Sequence, residues 1–186
     1  MFYDANASDG SGSAGNRSRL LVLAGAAIVG LGHGAIGREY FIGRQMHEHD
    51  MQIFANYLVG VDPAPMSPNA PTGPDVIHLE ADIHATGYNA YGFADGAWIP
   101  YLKVQYTLEK RGSDWKTTGE LRPMTAQDGP HYGNNVKMDG PGTYDLVYRI
   151  SPPEVNGFLR HTDHSTGVPD WWKPFRVEFE FTYPRE

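Results

Sequence analysis

The chain has 186 residues, with 40% hydrophobic and 20% charged side chains, which is the composition of a folded domain rather than of a disordered segment. Its net charge of −7 argues against a nucleic-acid backbone as partner, since phosphate binding needs a basic surface, and favours cations as ligands. Cysteine is absent, so disulfides, thiolate zinc sites and iron–sulfur clusters are all excluded.

Residues 1–16 are rich in Gly, Ser, Asn and Asp, a composition that reads as disordered. Arg17 and Arg19 then precede an apolar run from Leu20 to Leu31 and a small-residue exit through Gly37. Basic flank, short apolar run and small residues form the pattern of an export signal. The run is short for a membrane span, which needs about 20 apolar residues, although an uncleaved anchor is the alternative. Residues 38–50, with His47, Glu48, His49 and Asp50, read as a solvated polar arm.

From Met51 onward the pattern is all-β. Residues 51–59 read as a first strand, and the Pro-rich stretch 62–74 as a loop. The stretch 76–85 (VIHLEADIHA) is the next strand, and its alternation places Leu79, Ala81 and Ile83 on one face. His78, Glu80, Asp82 and His84 share the other face, a row of imidazoles and carboxylates able to hold a divalent cation if further ligands arrive. Residues 101–109 alternate, with Leu102, Val104, Tyr106 and Leu108 inward. Further strands are expected near 115–121, over 142–150 and over 175–183, the last with Phe175, Val177, Phe179, Phe181 and Tyr183 on one face. Short strands between Gly/Pro turns predict an immunoglobulin-like antiparallel β-sandwich over 51–186, as one domain.

Two loops add candidate ligands. Met124 and His131 bracket a tight loop that contains Asp128, Gly129 and Pro130, so a thioether and an imidazole can be presented from one rigid frame. The stretch 160–168 (RHTDHSTGV) offers a further imidazole. Taken singly, each has a plainer reading: methionine as core filler, histidine beside a turn as a surface residue, and alternating polar residues as a solvated sheet face. A joint His/Met/Glu set suits copper without excluding iron, because thioether sulfur is soft and carboxylate oxygen hard.

The words HLEADIHA (78–85), WIPYL (98–102), RPMTAQDGPHYGNNVKM (122–138), RHTDHSTGV (160–168) and WWKPFRVEFEFTY (171–183) carry a resemblance. In this order they resemble the periplasmic iron-transport protein family of exported, copper-binding, iron-linked β-sandwich proteins. The resemblance implies a homodimer with a copper site near its interface, with ligands at His78, Glu80, Met124, His131 and His161, the last of these reaching across from a partner copy. It places Asp82, His84 and Asp128 beside the site as neighbouring groups that orient ligands or receive a transient ion. The function implied is periplasmic binding of copper and iron in support of high-affinity iron uptake with an inner-membrane iron permease. Manganese and zinc are the substitutes expected for these ions. The competing classes are a copper-dependent iron oxidase or dismutase-like enzyme, and an extracellular interaction domain with incidental metal. No nucleic-acid partner is expected, and contact with a membrane only through an uncleaved N-terminal segment.

Overall fold

The computed structural model describes residues 38–184. The proposed export segment within 1–37 lies outside the described residues. Eight strands account for nearly all regular structure: β1 (Tyr40–Glu48), β2 (Met51–Val59), β3 (Val76–Ala85), β4 (Lys103–Lys110), β5 (Lys116–Ala126), β6 (Gly129–Lys137), β7 (Gly142–Ser151) and β8 (Phe175–Tyr183). A single 3₁₀ turn, Pro153–Asn156, follows β7. Among the described residues no helix is long and apolar enough to cross a membrane.

The all-β, antiparallel expectation holds. The strands bond in the order β1-β2-β3-β6-β5-β4-β7-β8, and every pairing is antiparallel. β5 joins the two halves by changing partner along its length: Leu121 still faces Val104 of β4, whereas Arg122 already faces Gly133 of β6. The sheet curls so far that its two edge strands meet, with Gly43 of β1 packed on the Phe179 ring of β8. The result is a nearly closed, barrel-like sheet, which leaves little edge for adventitious pairing.

The core follows the alternation of the strands. Leu79, Ala81 and Ile83 of β3 are fully buried, as are Val104 and Leu108 of β4 and Tyr144, Leu146, Tyr148 and Ile150 of β7. Val177, Phe179, Phe181 and Tyr183 of β8 close the interior from the other side. Apolar area withdrawn from water on these inner faces is the main stabilising term.

Two segments differ from the sequence expectation. Residues 38–50 do not form a solvated arm: Tyr40–Glu48 is an edge strand paired with β2, and it turns back through His49 and Asp50, both with positive φ. Its pattern was hidden because only Ile42 on this strand is fully buried, so no alternation shows in the sequence. The stretch between Met124 and His131 is not a loop throughout either. It belongs to the β5–β6 hairpin, with Gln127 and Asp128 at its tip between the paired Ala126 and Gly129.

One core contact ties the interior to the polar face of β3. The Tyr148 hydroxyl, fully buried, donates to the Glu80 backbone carbonyl at 2.7 Å. Tyr148→Phe leaves that carbonyl without its buried donor and should cost about 1–2 kcal/mol in urea unfolding. A stability equal to that of the wild type would show that the contact contributes nothing.

Candidate metal centre

Antiparallel pairing sets directly opposed residues on the same face of a sheet. Across four neighbouring strands, the register therefore gathers one set of side chains. Asn56 of β2 opposes Glu80 of β3, which opposes Gly133 of β6, which opposes Arg122 of β5. One pair along, His78 faces Asn135; in the other direction Met124 and His131 form a direct cross-strand pair. The sequence expectation that Met124 and His131 share one rigid frame is met by a hairpin rather than by a loop.

Although this face points away from the apolar core, it is not solvated. His78 is 2% exposed, His131 5% and Glu80 8%. Glu80 Oε1 lies 3.2 Å from His131 Nε2 and 3.5 Å from His78 Nε2. The two imidazole rings stand edge to face, with centroids 5.9 Å apart. Both Nε2 atoms are buried and neither has a hydrogen-bond partner. Burying polar nitrogens unpaired is costly, so their convergence on one carboxylate oxygen asks for a further group.

A cation satisfies that geometry. Metal–nitrogen and metal–oxygen bonds of about 2.0–2.2 Å hold neighbouring donors roughly 3–3.5 Å apart. The donor atoms of His78, Glu80 and His131 all lie within 4.8 Å of one another. Met124 completes the set: a Cβ placed on Gly133 would lie 2.6 Å from His78 Nε2 and 3.2 Å from Met124 Sδ. Glycine at position 133 thus keeps open the space into which imidazole and thioether both point. A cavity of about 1000 Å³, whose lining includes His78, Glu80, Met124, Asp128 and His131, connects the set to solvent beneath the Pro-rich loop.

The tautomer of His78 is fixed by its surroundings. Asn135 Nδ2 donates to the Val61 carbonyl at 3.1 Å, which turns Asn135 Oδ1 toward His78 Nδ1 at 2.6 Å. The Asn135 oxygen can only accept, so Nδ1 carries the proton and Nε2 presents its lone pair. Such an acceptor is what commonly holds a metal-ligating imidazole in place, and Asn135 is positioned to do this for His78.

A second acidic group adjoins the first. Glu39, immediately before β1, Glu80 and Asp82 place carboxylate oxygens within 4.8 Å of one another. Asn56 Nδ2 holds Asp82 Oδ2 at 2.7 Å. Burial, and then the charges of Asp82, Glu39 and Asp128, push the Glu80 carboxyl up to about 8. Burial likewise raises Glu39 and Asp82, while it lowers His78 below the ordinary imidazole range.

Of the residues singled out in the sequence, His78, Glu80, Met124 and His131 therefore come together. Asp82 and Asp128 lie close enough to influence Glu80 electrostatically. His84, opposite Gln52 and bridged to Trp98, sits further along the same face and acts electrostatically on Asp82. His161 is not part of the cluster: it lies on an exposed loop with Thr166 and Asp163 as its partners. Glu39 and Asn135 were missed. Glu39 stands outside any strand pattern, while Asn135 lies in the Asn134-Asn135 pair, which carries no ligand signal without the β3–β6 register.

The fold and this donor set define an all-β protein equipped to hold a metal ion. Residues 36–184 match the family described as Fe2+ transport protein, and the chain belongs to that family. A UPF0423 protein of Brucella abortus is 44% identical over 156 residues, covering 82% of this chain and 86% of the relative. The 34 kDa membrane antigen of Treponema pallidum is 35% identical over 153 residues, 79% of this chain and 75% of the relative. Among solved structures, a copper-bound variant of FetP from uropathogenic Escherichia coli is 46% identical, with a TM-score of 0.76, covering 79% of this chain and 98% of that one. A copper-bound variant of Campylobacter jejuni P19 is 40% identical, again with a TM-score of 0.76 and the same shares.

The raised Glu80 carboxyl has a sign that can be tested. The metal-free folded protein retains a proton there that the unfolded chain releases near 4.5, so this stabilisation is complete below about pH 4.5 and is lost as pH rises through about 8. Metal-free wild type should lose a few kcal/mol at most, relative to Glu80→Gln, between about pH 5 and 8. Parallel pH profiles for the two proteins in urea unfolding would contradict the assignment.

Proposed function

We propose that the protein binds copper and iron in the periplasm and supports high-affinity iron uptake together with an inner-membrane iron permease. The observation that carries this reading is the pair of buried, unpartnered Nε2 atoms of His78 and His131, converging with Met124 Sδ around Glu80. Membership of an Fe2+ transport protein family and the copper-bound state of FetP and P19 support it. A FetP protein 46% identical to this chain was recombinantly expressed in the periplasm of E. coli, which supports the compartment.

Copper takes the soft side of the site: two imidazoles, one thioether and Glu80. Iron takes the oxygen side, where Glu39, Glu80 and Asp82 form a hard donor group and Asp128 adds negative charge. Glu80 belongs to both groups, so loading one side alters the charge and proton content of the other. Binding draws the proton from Glu80, which couples loading to pH. A homodimer with His161 supplied from the second copy, and immunoglobulin-like packing of the two halves of the barrel, belong to the same reading of the family words. Manganese and zinc serve as substitutes at these donors.

Two substitutions separate the soft and hard sides. Met124→Leu should weaken copper binding on the order of ten-fold or more and leave manganese within about two-fold, while Glu39→Gln should do the reverse. Calorimetric titration of both ions into both variants is the check. Equal losses of copper and manganese in Met124→Leu would remove the thioether from the copper site.

A further inference from the structure

The stretch 160–168 is an exposed loop, yet Arg160, His161, Asp163, Ser165 and Thr166 all have hydrogen-bonded side chains. Asp163 Oδ1 accepts from the Ser165 amide at 3.0 Å, the Ser165 hydroxyl at 2.9 Å and the Thr166 amide at 3.0 Å. The Gly167 amide donates to the Asp163 carbonyl at 2.9 Å, and a side chain at Gly167 would collide with that carbonyl. The base of the loop is closed by the Val168 amide on the His161 carbonyl at 3.1 Å, and by Arg160, which donates to the Val168 carbonyl and pairs with Asp170. Against this order, the side chain of His161 is 75% exposed and the adjoining Leu159 is 88% exposed.

The hydrogen bonds give His161 a definite protonation pattern. Thr166 Oγ1 lies 2.7 Å from Asp163 Oδ2 and 2.8 Å from His161 Nδ1. With Oδ1 already accepting from three donors, the Asp163 carboxylate meets Thr166 Oγ1 as an acceptor through Oδ2. The single hydroxyl proton of Thr166 is therefore spent on Asp163, and its oxygen faces His161 as an acceptor. His161 Nδ1 must supply the proton of that contact, which leaves the lone pair on Nε2. Free histidine side chains favour the opposite, Nε2–H, form.

We propose that Thr166 and Asp163 are positioning residues that hold His161 as the Nδ1–H tautomer, so that this loop presents a preformed Nε2 donor to a metal ion held by a second copy of the chain. The inference rests on the reading of His161 as a ligand supplied across a dimer, and extends it to the residues that prepare that ligand. It repeats in the open what Asn135 does for His78 in the interior. An imidazole already in the correct tautomer and orientation binds without first giving up rotational freedom or moving a proton.

The test is a two-bond ¹H–¹⁵N correlation spectrum of the full chain, metal-free, at about pH 8, where unperturbed imidazoles are neutral. Wild type should show His161 with Nδ1 protonated and Nε2 bare. Thr166→Val should revert it to an Nε2–H excess with the backbone amide spectrum otherwise retained, and Thr166→Ser should keep the wild-type pattern. Copper affinity should fall about ten-fold in Thr166→Val and stay within about two-fold in Thr166→Ser. An Nε2–H pattern in the wild type, or an unchanged tautomer in Thr166→Val, would overturn the proposal. His161→Ala tests the underlying reading separately: wild-type copper affinity in that variant would remove His161 from the ligands, whatever tautomer it adopts.

Discussion

Glu80 stands between two imidazoles, with all three groups nearly withdrawn from water, and that shared desolvation governs the chemistry of the site. Desolvation penalises the charged forms of Glu80 and His78, which is why the carboxyl is pushed up to about 8 and His78 is pushed down. A buried carboxyl and two unpartnered imidazole nitrogens pack less favourably than hydrophobic residues of the same volume would. A cation held between these donors would offset that cost. Protons and metal ions compete for the same atoms, and the barrel fixes those atoms in place before either arrives.

That fixation comes from the backbone. The registers β2–β3, β3–β6 and β6–β5 place Asn56, Glu80, Gly133 and Arg122 in one line across the sheet. A slip of one residue at any of these interfaces would send the donors to the apolar interior. The inner face prevents such a slip, because Leu79, Ala81 and Ile83 would then be turned to the outside. Tyr148 adds a direct link from the core to the Glu80 backbone, and Asn135 joins His78 to the Pro-rich segment at Val61. Ordinary β-sheet energetics thus enforce the geometry of the donor set, in which Glu80 belongs both to the imidazole cluster and to the acidic one.

The strands with clean alternation were legible in the sequence because one of their faces packs against the core. Residues 76–85 as a strand, and Val104, Tyr106 and Leu108 as inward residues, coincide with the structure. β1 was not legible, since an edge strand with one fully buried residue shows no period. β6 was hidden for a different reason: Pro130, Gly133 and the Asn134-Asn135 pair are residues that usually mark turns, and here tertiary pairing on both sides overrides that preference. His78 and Glu80 could be named from spacing on one strand. Their meeting with Met124 and His131 is set by strand order, which periodicity does not contain, and it was the family words that joined the two segments. Glu39 had neither signal. His161 stayed apart from the cluster, as an exposed residue of a well-ordered loop.

In the proposed function the β3 row and the β5–β6 hairpin hold copper together. Copper titration of the purified full chain, wild type beside His131→Ala, tests it most directly. Stoichiometric, tight copper in the wild type that is lost in the variant, with the fold intact by circular dichroism, is the result this account predicts. Loose uptake that His131→Ala leaves unchanged would contradict it, and would reduce the buried imidazole pair to a structural feature of the sheet.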